Sequence, residues 1–195
     1  MIRTKQELNE YIECDRKRHR KPKLNFFGYI VWKLRLFIGV CSETDCSVNY
    51  LMILRKYEYY LNNSSNNYLF WIISKYYSLH HKRLSFKYGI YIKPNTVGKG
   101  LYIPHFAGGI NCNCVSMGDY CIISTGVVLG NKHKQENRPT IGNGVELTIG
   151  CKVIGKVTIG DNAIVAPNSV VIHDVPASAI VSGVPAKILR MRNNV

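Results

Sequence analysis

Ile141, Leu147, Val153, Ile159, Val165 and Val171 are all aliphatic and stand six residues apart. Four residues after each comes a small or β-branched side chain: Val145, Cys151, Val157, Ala163, Ser169 and Val175. A period of six fits neither the 3.6 of a helix nor the 2 of a flat strand. It suits a short strand followed by a turn, three such steps closing a triangular coil of about 18 residues with its aliphatic side chains inside. One coil cannot cover its own apolar face, so coils must stack into a prism. The same phase runs upstream through Met117, Ile123 and Leu129, whereas Val97 and Ile103 stand two residues out of step, across Gly108–Gly109.

Before residue 89 the pattern is helical. Thr4 with Glu7 three residues on has the capping-box arrangement, and Leu8, Tyr11 and Ile12 follow on one face. Tyr50, Leu51, Leu54, Tyr57 and Leu61 are spaced by three and four. The polar run 62–67 predicts a turn, and a further helix is expected from Tyr68 to a stop near Gly89. The apolar window 26–40 contains Lys33 and Arg35 and is too short to span a bilayer, leaving a buried helix or an interfacial one. These readings divide the chain into a helical region (1–88), a β domain (89–180) with an excursion loop at about 130–140, and a short basic tail (181–195).

The chain carries 26 Lys and Arg against 12 Asp and Glu, a net charge of +14. A dense share lies in residues 16–23, where a solvated arm and adhesion to an anionic surface are the two readings. No recognition motif accompanies the charge, which argues against nucleic acid. Seven cysteines and no secretory leader predict free thiols in a reducing cytoplasm. Neither Cys41/Cys46 nor Cys112/Cys114 has the spacing of a common zinc site, so no metal is expected.

The hexad run, the segment 98–110 around His105, "GVVLGN" (126–131), residues 138–171 and "VSGVPAKIL" (181–189) resemble the hexapeptide-repeat acyltransferases, and among them the serine-acetyltransferase-like branch. The helical half is closer in style to acetyltransferases of exopolysaccharide and O-antigen synthesis. The resemblance implies a mainly β fold, a left-handed parallel β-helix with an N-terminal helical extension. It also implies acetyl-CoA as donor, transfer onto a hydroxyl, and a homotrimer, or a dimer of trimers, with sites between neighbouring prisms.

Transfer from a thioester to an alcohol needs a base near neutral pH, and histidine is suited to it. His105 stands where the resembling enzymes carry their catalytic histidine. By position in the motif, Gly130 is a candidate oxyanion donor, the backbone of Ile149 and Pro167 would line the pantetheine arm, and Lys187 and Arg190 would meet the phosphates. Arg138 in the loop is a substrate candidate. Cys151, at a small inward position, reads as a packed hydrophobe rather than a nucleophile.

Two positions depart from the serine enzymes: Tyr91 and Pro104 stand where they carry aspartates. Tyr91 or a backbone carbonyl is then expected to steady His105, and Tyr91 to face the acceptor. A serine ammonium would lack its counter-charge, which favours a sugar or glycan-precursor hydroxyl as acceptor, made by an enzyme resting against the inner membrane face. Serine O-acetylation for cysteine synthesis is the alternative. It would require an acidic residue from elsewhere, Glu136 or one in the helical half. A non-catalytic trimeric scaffold is the third reading.

Overall fold

The computed structural model describes residues 1–134 and 136–192, so Gln135 in the excursion loop and the last three residues of the tail lie outside the description. Four helices come first: α1 (Lys5–Arg18), α2 (Phe26–Phe37), α3 (Glu43–Asn62) and α4 (Tyr68–Tyr88). The capping box opens α1, with Thr4 Oγ accepting from the Glu7 amide at 3.1 Å and the Glu7 carboxylate accepting from the Thr4 amide at 2.8 Å. A second box, Ser42 with Asp45, opens α3. Gly89, at φ +66, ends α4 in the left-handed conformation.

Thirteen short strands follow. The first sheet stacks β1 (Ile90–Ile92), β2 (Ile110–Cys112), β5 (Val128–Gly130), β8 (Lys152–Ile154) and β11 (Val170–Val171). The second stacks β3 (Ser116–Met117), β6 (Thr140–Ile141) and β9 (Thr158–Ile159). The third stacks β4 (Ile122–Ile123), β7 (Glu146–Leu147), β10 (Ile164–Val165), β12 (Ala179–Gly183) and β13 (Ala186–Met191). All pairings are parallel except β12 with β13. The architecture is the left-handed parallel β-helix with a helical extension.

Register explains the hexads. Thr140 pairs with Thr158, Glu146 with Ile164 and Lys152 with Val170, one coil of 18 residues. Each hexad therefore supplies one face, and its aliphatic residue points inward. Ile123, Leu129, Ile141, Leu147, Val153, Ile159, Val165 and Val171 are all buried, as are Val145, Cys151, Val157, Ala163 and Ser169. Complete burial contributes about 1.5–3 kcal/mol for each Val, Leu or Ile. Two steps are longer. Val128 pairs with Lys152, and the added residues form the excursion loop. Ile90 pairs with Ile110 and Tyr102 with Ile122, while Asn111 already pairs with Val128, so two extra residues fall between Ile103 and Ile110. That is the out-of-step interval in the sequence, and His105 lies in it.

The helices are fixed to the first coils by a buried ionic cluster. Arg55 donates from Nε to Asp15 at 2.9 Å, and from its terminal nitrogens to Glu58 at 3.1 Å and to the carbonyls of Val97 and Gly98 at 2.9 and 2.5 Å. Asp15 also accepts from the Leu101 amide, and Glu58 from the Asn95 amide. Burial raises both carboxyls against the opposing pull of Arg55. Burial works against the guanidinium, but the two carboxylates hold it above its ordinary value.

Two regions take a definite form. Residues 181–192 are no loose tail: β13 folds back antiparallel on β12, with Ser182 beside Lys187 and Ile180 beside Arg190. Helix α2 is not buried. Only Leu36 is enclosed, because Trp32 and Lys33 tie one face to Asp45 and Asn49 of α3 and leave the other face outward.

Candidate active site

The prism has three edges, and one of them carries His105. Backbone bonds climb this edge from turn to turn: Gly126 N to Gly109 O at 2.7 Å, Gly150 N to Thr125 O at 2.9 Å, and Asn168 N to Ile149 O at 2.9 Å. The turn of residues 104–109 stands at its first step. Gly150 shows why the corners are tight: it sits at φ +70, and a Cβ there would meet the Asn168 side chain. At the far end Gly183 N donates to Ser169 Oγ at 3.2 Å, where the β12–β13 hairpin begins.

The His105 turn is pinned from several sides. The Ile103 amide donates to Nε2 of buried His19 at 3.1 Å, while His19 Nδ1 faces the Asp15 carbonyl at 2.7 Å. Burial lowers the His19 value, consistent with a neutral ring accepting at Nε2 and donating at Nδ1. Gly108 N donates to Thr125 Oγ1 at 2.6 Å, and Phe106 packs on Tyr88. The decisive partner is Glu43, the first residue of α3. Its Oε1 accepts from the Phe106 amide and its Oε2 meets His105 Nδ1, each at 2.9 Å. The hydrogen bond from His105 and then that from the Phe106 amide hold the Glu43 carboxyl below its usual range. A carboxylate at Nδ1 fixes the proton there and leaves the Nε2 lone pair free, while the side chain stays 66% exposed.

Of the expected site residues, Ile149 and Pro167 lie on the same edge as His105, and Lys187 and Arg190 lie exposed on the hairpin at its far end. Gly130 does not join them. It ends β5 on a different edge, where its carbonyl accepts from the Gly155 amide at 2.9 Å. Tyr91 does not steady His105. It is outward on β1, in an open cleft of about 870 Å³ between α4 and the first sheet that reaches Gly108 and Gly109. Arg138 is braced at the base of the excursion loop, one terminal nitrogen on the Cys114 carbonyl at 3.3 Å and its buried Nε without a partner among the described residues. No hydrogen bond or ion pair among the described residues joins it to His105. Among the described residues Glu136 pairs with Lys134, 3.9 Å away on the exposed loop.

Cys151 is fully buried, and burial pushes its thiol up to about 12, so it is no nucleophile at neutral pH. All seven cysteines are unpaired. Glu43 is the residue that the reading of the sequence missed. Its local signal was the Ser42–Asp45 capping box, which marks a helix start but says nothing about a turn 62 residues further on.

The model of the bacterial transferase hexapeptide (six repeats) matches residues 138–173. A serine acetyltransferase from Synechococcus elongatus is 38% identical over 104 residues, which are 52% of this chain and 43% of that protein. One from Helicobacter pylori is 36% identical over 104 residues, covering 52% and 61%. The chain thus spans about half the length of these relatives. Among solved structures, a Neisseria gonorrhoeae serine acetyltransferase in complex with serine is 27% identical with a TM-score of 0.64, covering 95% of this chain and 70% of that one. A Brucella abortus serine acetyltransferase in complex with coenzyme A superposes with a TM-score of 0.70 at 21% identity, covering 98% and 71%. In its repeat, its coiled fold and its matched segment, the chain is similar to the hexapeptide-repeat transferases of the serine-acetyltransferase-like branch.

Proposed function

We propose that this chain is an acetyl-CoA-dependent O-acetyltransferase with His105 as general base and serine as acceptor. The observation that carries the reading is the Glu43–His105 pair. The sugar expectation rested on the loss of aspartates at Tyr91 and Pro104, and α3 supplies a carboxylate at the same histidine from outside the motif. A carboxylate at this histidine weakens that ground for a glycan. The likeness to serine acetyltransferases over half the chain supports the amino acid instead.

In this reading His105 Nε2 takes the proton as the serine hydroxyl attacks the thioester carbon. Glu43 holds the ring by Nδ1 and offsets the imidazolium that forms. Its side chain keeps about a third of its surface open, and in this reading it also offers negative charge to the acceptor's ammonium. The protonated Nε2 then returns its proton to the departing thiolate. Acetyl-CoA would lie along the edge of Ile149 and Pro167, its phosphates meeting Lys187 and Arg190. Four coil spacings of about 4.8 Å separate the His105 turn from the hairpin, roughly 19 Å in all. We place the working site in a homotrimer, where the excursion loop with Gly130 and Arg138 would reach a neighbouring copy's His105 edge.

The test is thiol release from acetyl-CoA with L-serine beside a panel of sugars, nucleotide sugars and oligosaccharides. Saturable turnover with serine is expected. Turnover confined to a glycan would refute the acceptor, and turnover with neither, joined to an unmoved melting temperature with coenzyme A, would refute the enzyme.

A further inference from the structure

Helix α2 is apolar on the side that faces away from the protein. Phe26, Phe27, Leu34 and Phe37 are 82, 73, 56 and 86% exposed, and Ile30, Val31 and Ile38 complete the same stripe. The opposite face, Tyr29, Trp32 and Leu36, is turned inward against α3. A helix apolar on both faces needs a covering on each, and the described residues supply only one.

The chain around the stripe decides what covers the other. Residues 16–42 contain eight Lys and Arg and no Asp or Glu. Lys17, Arg18 and Arg20, at the end of α1, are exposed and without an ion-pair partner among the described residues. Arg16, Lys21 and Arg35 border a cleft of about 670 Å³ whose other walls include Leu24, Phe27, Val31 and Asp45, the last paired with Lys21 at 2.8 Å, which leaves Arg16 and Arg35 as its net charge. Cations and an apolar stripe therefore share one surface. A second copy of this chain would set cations against cations across a two-fold axis. A bilayer with anionic headgroups answers both features, taking the stripe into its boundary and the cations at its surface. No helix is long and apolar enough to cross a membrane, and α2, at about 18 Å, would lie in the interface plane.

We propose that α2 and the basic segment before it dock this protein on the surface of an anionic bilayer. The surface is independent of the acceptor: its residues touch neither His105 nor the hairpin, so transfer in solution does not need it.

The test is co-sedimentation of the full chain with sucrose-loaded vesicles, of phosphatidylcholine alone or with 30 mol% phosphatidylglycerol. The protein is expected to partition at least tenfold more strongly onto the anionic vesicles and to be released at high salt. Phe27→Asp/Leu34→Asp should cut that partition at least tenfold, with melting temperature and soluble turnover unchanged. Lys17→Glu/Arg18→Glu, which touches only exposed side chains, should do the same and serves if the first variant does not fold. Equal or absent partition of the parent chain on the two vesicles would overturn the proposal. So would a parent chain that ignores vesicles but whose Phe27→Asp/Leu34→Asp variant falls to a smaller assembly by light scattering, since the stripe would then belong to a second copy.

Discussion

Replacing Glu43 by glutamine exchanges one oxygen for an amide nitrogen in a group that accepts two hydrogen bonds, from His105 Nδ1 and from the Phe106 amide. Glutamine has one accepting oxygen and one donating nitrogen, so it cannot serve both. If its oxygen keeps the Phe106 amide, its nitrogen faces Nδ1 and selects the tautomer with the proton on Nε2. That is the nitrogen required to take the acceptor's proton. If the oxygen turns to Nδ1 instead, two N–H groups oppose each other and the turn loses its anchor. Either arrangement forfeits about one hydrogen bond to a charged group, worth roughly 1.5–3 kcal/mol. The His105 and Glu43 side chains are 66% and 33% exposed, and water competes for them, so the lower part of that range applies. The expected fall in kcat is about 10- to 40-fold.

The assay is thiol release at saturating acceptor and varied acetyl-CoA. KM for acetyl-CoA should hold within twofold, because the proposed phosphate contacts lie at the other end of the edge. Glu43→Asp, which keeps the charge on a shorter stem, should recover part of the rate. Because the Glu43 value is lowered in the fold, its stabilising contribution is present above its ordinary 4.5 and is lost as pH falls through the lower folded value. The comparison therefore belongs at neutral pH. A Glu43→Gln enzyme with kcat within twofold of the parent and an unchanged melting temperature would show that the pair is structural only.

His105→Ala is expected to keep the fold and lower turnover at least a hundredfold, and near-parental activity there would move the base to another residue. Lys187→Ala should raise KM for acetyl-CoA more than it lowers kcat, with a loss of discrimination between coenzyme A and its 3′-dephospho form. Arg55→Leu leaves Asp15 and Glu58 buried without their cation and should cost about 3–5 kcal/mol in denaturant unfolding. Burial pushes His81 down to about 4 from 6.5, so the unfolded chain binds its proton first and stability falls as pH drops from 6.5 towards 4. The loss is about 3 kcal/mol at most, and His81→Gln should flatten that limb in pH-dependent thermal melts.

What was legible in the sequence is what repeats or is local. The hexads announce the prism because every coil must present the same inward positions to the next, so Val153 and Val171 share one requirement. The capping box of α1 and the stop at Gly89 depend on neighbours within four residues. Even the two-residue slip before Ile110 was visible, and it marks the only turn of the His105 edge long enough to lift a side chain clear of the stack. The outward face of α2 was not legible, because apolar composition does not say which side of a helix finds a partner. Trp32 and Lys33 turned inward only because Asp45 and Asn49 were there to receive them.

The carboxylate beside His105 was not legible for a related physical reason. Counting carboxylates along the motif assumes that a site draws its charge from the strand that carries its base. Here the proposed base is on a prism turn and its carboxylate is at the start of a helix, and nothing in either segment refers to the other. What joins them is Arg55, which clamps α3 to Val97 and Gly98, and His19, which fixes Ile103 two residues before the base. With those anchors the start of α3 cannot avoid the His105 turn, and Glu43 arrives there at hydrogen-bonding distance. A substitution that loosens the clamp without touching Glu43 should therefore reproduce part of the Glu43 defect. His19→Phe keeps an aromatic ring, a somewhat larger one, but removes the acceptor for the Ile103 amide and the donor to the Asp15 carbonyl. It is expected to lower kcat several-fold through the turn, beyond any effect on KM. If His19→Phe lowers the melting temperature and leaves kcat unchanged, the turn is held by Glu43 and Thr125 alone, and the clamp serves stability without shaping the site.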